Sequence, residues 1–309
     1  MAHVNASATL TNGEHAAALL RHITQRLVSL HAPVLEDRDP EPLHQMRVSM
    51  RRLRAILRQF GPALELPAGV SDRRIGRVSR RLGVARDLDV LRQLLEDDLV
   101  PRLPEAEAQR LRPVLKQLRR ERKLACEDLA QTLRSGSYLR LLSRLQRWQN
   151  DPRTTVIGDE PLRDWLLEWQ APLLAPVFAH PAWFVAGPRD DPDLVHDLRK
   201  RCKEARYSLE NLADHTGPRC AEWVKRFKRV QQLLGDLNDL RVLRAAIEDA
   251  LEGKLKKTLP ELHRLLDERS LSLWQEWRGF ATELLQPEQR HGLLRDLLIE
   301  SGQAPPTPA

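Results

Sequence analysis

Apolar residues recur every three to four positions along almost the whole chain, the period of a helix that buries one face. No segment alternates apolar and polar residues as a half-buried strand would, so the pattern predicts an all-α protein. Residues 13–36 read as one helix, with Leu19, Leu20, Ile23, Leu27 and Leu30 on its buried side. Asp39-Pro40-Glu41-Pro42 breaks the chain, and the next helix runs to Phe60, where Gly61-Pro62 stops it. Ser71-Asp72 caps a helix expected to reach about residue 99, with a kink at Gly83. Pro101 and Pro104 precede a long charged helix to about Leu133, and Ser135-Gly136-Ser137 starts a short one ending near Trp148. Residues 150–160 read as a linker. A second series follows at 160–179, 193–214, 218–250, 258–285 and 288–300, with a loop from Pro181 to Pro192.

The two series repeat at an offset of 152 residues. His44-x-x-Arg47-x-x-x-Arg51-x-x-Arg54 matches His196-x-x-Arg199-x-x-x-Lys203-x-x-Arg206, and LGVARDLDVLR at 82–92 matches LGDLNDLRVLR at 234–244. This predicts an internally duplicated unit: residues 1–150 and 151–301 as two four-helix bundles about a pseudo-two-fold axis, followed by a disordered tail, 302–309.

Charge changes the picture. The 309 residues carry 50 Lys and Arg against 43 Asp and Glu, a net +7, and 41 of the 50 cations are Arg. On a helical wheel, His44, Arg47, Arg51, Arg54 and Arg58 fall within an arc of roughly 80°, opposite Met46, Met50, Leu53, Ile56, Leu57 and Phe60. That helix has no acid after Glu41. Stacked like charges destabilise it unless an anion lies opposite. The second copy keeps His196, Arg199, Lys203 and Arg206 but places Glu204 at the position of Arg52 and Glu210 at that of Arg58. Further rows follow: Arg73, Arg77 and Arg80 on the next helix, with Lys225 and Arg229 in its copy, and Lys116, Arg119 and Lys123 on the long charged helix. The competing reading is a set of solvated faces balanced by acids on neighbouring helices. Asp87 and Asp239 recur in both units and read as anchors for an Arg of the row or as helix caps.

Other chemistries find no pattern. The three cysteines show no C-x-x-C spacing, and neither His44 nor His196 has a His or carboxylate at i+4 to chelate a metal, so no cofactor or metal site is expected. No phosphate-binding loop, dinucleotide fingerprint or nucleophile elbow occurs. Without an apolar run of membrane length or a secretory signal, the expected setting is the cytoplasm, with no membrane association.

HQMRVSMRRLRAILRQF at 44–60, RRLGVARDLDVL at 80–91, HDLRKRCKEARYSLENL at 196–212 and QLLGDLNDLRVL at 232–243 resemble the CHAD family, the histidine-containing α-helical domain, over residues 10 to 300. The resemblance implies two antiparallel bundles around a basic central groove, inorganic polyphosphate as ligand, and association with polyphosphate granules. It also implies that His44, Arg47, Arg51, Arg54, His196, Arg199, Lys203 and Arg206 bind the chain, joined by the basic residues of the following helices. Binding without catalysis is the expectation. The alternatives are a nucleic-acid-binding module, disfavoured by rows nearly free of aromatic residues, and an enzyme: a phosphohydrolase or a bundle using His44 or His196 as phosphoacceptor.

Overall fold

The computed structural model describes residues 10–300, and among these no strand forms. The first half contains α1 (Asn12–Ser29), α2 (His31–Glu36), α3 (Pro40–Phe60) and α4 (Asp72–Gln93). It continues with α5 (Glu105–Arg110), α6 (Arg112–Arg134), α7 (Gly136–Trp148) and the single turn α8 (Val156–Asp159). The second half contains α9 (Leu166–Phe178), α10 (Pro192–Asn211) and the 33-residue α11 (Pro218–Ala250). It ends with α12 (Leu255–Thr258), α13 (Pro260–Leu284) and α14 (Pro287–Glu300). The tail expected to be disordered, 302–309, lies outside the described residues.

Four local expectations are corrected. The helix expected over 13–36 divides at Leu30, because Pro33 has no N–H for the Ser29 carbonyl and its ring crowds that carbonyl. Pro113 divides α5 from α6 at Leu111 in the same way. Gly83 produces no kink: α4 runs through it and instead widens into a π-helical stretch at Leu94–Leu99. The segment 150–160 is also no loose connection. Thr155 donates its hydroxyl to the Pro62 carbonyl at 2.7 Å, and the Asn12 amide donates to the Glu160 carbonyl at 3.0 Å.

The core divides into three clusters. One, built around Leu20, Met50, Leu53 and Phe60, belongs mainly to the first half. Another, around Leu198, Phe227 and Trp277, belongs to the second. The third joins Leu91, Leu95 and Leu118 from the far ends of α4 and α6 to Leu243, Ile247 and Leu266 of α11 and α13. Because apolar area removed from water is the main stabilising term, this third cluster makes the halves interdependent. It holds the distal ends together, while α3 packs on α10 at the centre.

Candidate anion-binding site

The site grows from two helix starts. Asp39 caps α3 by accepting from the Glu41 amide at 2.8 Å, with Pro40 as the first helical residue. Asp191 and Pro192 do the same for α10, 152 positions later, with the Leu194 amide donating at 3.1 Å. Both helices bury their apolar faces outward, in the two half-specific clusters, so their basic faces turn toward each other.

Contacts across this seam are reciprocal at the 152-residue offset. Asn211 donates to Gln59 at 2.9 Å, and these residues are 152 apart. Gln59 in turn donates to the Ser208 hydroxyl at 2.7 Å. Arg52 pairs with Glu210 at 2.9 Å, and Arg58 pairs with Glu204 at 2.5 Å. Glu204 and Glu210 are the two acids that interrupt the second basic row. Each neutralises, on α3, the arginine that stands at the other's equivalent position.

More of the first row is compensated. Arg54 makes a two-pronged contact with Asp72, at 2.6 and 3.0 Å, and Arg58 reaches Asp72 at 3.3 Å. Arg47 donates to Asp87 at 2.7 Å, which supports the anchoring role read for that aspartate. In the second half a Cβ on Gly235 would come within 3.1 Å of Arg199, so that arginine packs close over bare backbone, whereas one on Gly83 would meet Arg47 Nε at an ordinary 3.8 Å. On the second row, Arg206 bonds Glu210 at 2.5 Å, and its guanidinium lies 4.4 Å from the centre of the Tyr207 ring.

What remains is a knot of cations that make no ion pair, with Glu204, already paired to Arg58, as the carboxylate at their cavity. Arg51, Arg199 and Lys203 form no ion pair among the described residues. Arg199 donates to the Gln231 carbonyl at 3.3 Å. Arg51 and Lys203 are half-buried and face each other across a cavity of about 200 Å³, which also touches Arg54, Arg58, Lys200 and Tyr207. Burial, reinforced by Arg51, Arg199 and Arg47, pushes Lys203 down to about 7. Burial and the neighbouring Arg47 and Arg199 likewise depress Arg51, and burial with Arg199 and Arg86 depresses Arg47.

The histidines stand at the edge of the knot. Burial and then Arg86 hold His44 below the ordinary histidine value, and burial and then Arg199 do the same for His196. His196 Nδ1 is buried without a hydrogen-bond partner. Asp239 is pushed up by burial, with Arg199 opposing, and is not bonded to Arg199 as Asp87 is to Arg47.

The other basic rows do not converge on this seam. Arg77 and Arg80 line a separate cleft of about 860 Å³ between α4 and the α6–α7 corner, together with Arg74, Arg81 and Arg140. Arg73, Lys116 and Lys225 are exposed. Arg229 is engaged by Glu276 and Arg119 by Glu96, and Lys123 borders a shallow pocket beside Asp37. Sequence reasoning missed Arg86, the largest cationic influence on His44, although it directly precedes Asp87 in the repeated window. It also missed Lys200, which shares the central cavity.

The chain is all-helical, with half-buried, unpaired cations between α3 and α10. The CHAD domain model matches residues 17–248, and the chain belongs to that family. Two solved structures share the fold. The CHAD domain from the plant Ricinus communis aligns with a TM-score of 0.61 at 24% identity, over 94% of this chain and 93% of that one. PptA from Streptomyces chartreusis aligns with a TM-score of 0.65 at 18% identity, over 89% of this chain and 99% of that one. No curated protein matches the sequence.

Proposed function

We propose that the protein binds linear inorganic polyphosphate, without catalysis, along the basic groove between α3 and α10, and that this binding brings it to polyphosphate granules. The observation that carries the reading is the half-buried pair Arg51 and Lys203, opposed across one cavity without a carboxylate partner. A buried charge with no counter-charge is costly in the free protein, and a polyanion with one charge per unit relieves several such charges at once. Nucleic acid fits less well. The one aromatic side chain at the cavity, Tyr207, is 4% exposed and covered by Arg206, so no ring face is free for base stacking.

Titration calorimetry with long-chain polyphosphate tests this on the Arg51→Ala, Lys203→Ala double variant. Each charge-assisted contact is worth about 1.5–3 kcal/mol, so the loss should be roughly 10²- to 10⁴-fold. Full affinity in a folded double variant contradicts the reading. Incubation with small-molecule phosphodonors should add no phosphoryl mass to His44 or His196; a stable adduct on either would favour a phosphotransfer bundle instead.

A further inference from the structure

A second site opens where the two halves differ at the 152-residue offset. In the first half, a pocket of about 330 Å³ beside the start of α3 is bridged by paired charge. Arg122 of α6 reaches across to both oxygens of Asp37 and to Asp89 of α4, the latter at 3.0 Å with Asp89 almost fully buried. In the second half, each of these three positions is inverted or emptied. Arg189 stands at the position of Asp37, Arg241 at that of Asp89, and Trp274 at that of Arg122.

The surrounding frame is otherwise kept. Pro40 and Pro192 border the two spaces, as do Arg92 and Arg244, and Arg92–Glu96 at 3.6 Å matches Arg244–Glu248 at 3.8 Å. Without a counterpart of the Arg122 bridge, the second-half pocket, about 290 Å³ between α10, α11 and α13, has a different lining. One wall is apolar, from Leu234, Leu237, Leu266 and Trp274. The lining also carries His196, whose Nδ1 has no partner, and Arg241, which bonds only the neutral Asn238, at 3.2 Å. Asp267 takes up Arg189 and Arg244, so the anion-seeking groups left are His196 and Arg241.

We infer that this pocket binds a small organic anion, an acidic group such as a phosphate or carboxylate on a compact apolar or aromatic body, with the acid between His196 and Arg241 and the body against Trp274. The lining asks for both halves of such a molecule. Inorganic phosphate would leave the apolar wall uncovered, and a neutral ring would leave Arg241 and the His196 Nδ1 unanswered. The volume matches a ligand of modest size and excludes a polymer. Since His196 also borders the central groove, occupancy of the pocket couples to polyphosphate binding through that one side chain.

Ligand-observed NMR titration of the full chain with phenyl phosphate, inorganic phosphate and phenol tests the inference. Phenyl phosphate should bind saturably, at least roughly tenfold tighter than either of the others. Arg241→Ala should reduce that affinity by about tenfold through the lost charge-assisted contact. Ala245→Phe, an exposed position on the pocket wall, should block binding by filling the space. Equal binding of phenyl phosphate and inorganic phosphate, or binding unchanged in both variants, overturns it. Long-chain polyphosphate titrated into the same variants keeps the two sites apart. Retained polyphosphate affinity with phenyl phosphate lost is the expected result. Absent polyphosphate binding in the unaltered protein would remove the groove reading and leave the pocket untouched.

Discussion

The proposed polyphosphate binding should be proton-coupled through Lys203. Its ammonium sits near pKa 7 in the free protein, against an ordinary 10.5, because it is buried beside Arg51, Arg199 and Arg47. A polyanion in the groove favours the charged form and restores the higher value. The bound state therefore holds more protons wherever the pH lies between the two values. If binding restores the full ordinary value, about 0.9 proton is taken up per site at pH 8 and about 0.1 at pH 6. Over the same interval affinity should weaken about tenfold as pH rises, and below about pH 6 Lys203 should contribute nothing further. Calorimetry in two buffers of different ionisation enthalpy reads the proton count directly, and long chains keep the terminal phosphates, which titrate near pH 6, a minor contribution. Lys203→Arg should bind with the uptake at pH 8 gone. Uptake that is absent at pH 8 in the unaltered protein, or that persists in Lys203→Arg, refutes the argument.

The histidines act in a lower window. Both lie below 6.5 when free, so any uptake by them continues below pH 6.5, where Lys203 is already charged, and His44→Gln, His196→Gln should abolish only that part. Stability should move oppositely to binding. Unfolded Lys203 titrates near 10.5 and folded near 7, so its penalty is complete below pH 7 and fades as pH rises toward 10.5. Lys203→Met should accordingly raise Tm at pH 6, and raise it less at pH 9.5, while weakening polyphosphate binding; thermal melts at the two pH values check this. Glu204→Gln releases Arg58 from a partly exposed ion pair, costing under about 1 kcal/mol of stability, and should strengthen polyphosphate binding a few-fold by titration. Affinity should fall steeply with salt, since neutralised phosphates release counterions, and triphosphate should bind far more weakly than long chains; equal affinities for the two would contradict binding along the groove.

The rows at 44–58 and 196–206 were legible because a helix that stacks like charges opposite an apolar face announces itself by spacing alone. What opposes each charge was not legible. Glu204 and Glu210 read as impurities of the second row, yet they are the partners of Arg58 and Arg52, because pairing crosses between halves more than 140 residues apart. Gly83 read as a kink because glycine weakens helices, whereas α4 runs straight through it. Pro33 and Pro113 were visible breakers passed over for the sake of an unbroken apolar period. The rows on α4, α6 and α11 looked equivalent to the central one on a wheel. Only packing shows that Arg77 and Arg80 face another cleft, and that Arg119 and Arg229 already have carboxylates.

The most direct test of the central claim is displacement of labelled long-chain polyphosphate, at physiological salt, by unlabelled polyphosphate and by single-stranded DNA matched in charge. A cation knot that offers no free ring for stacking predicts displacement by polyphosphate at a charge concentration at least roughly tenfold lower than by DNA. Equal displacement by the two polymers, or stronger displacement by DNA, would contradict it.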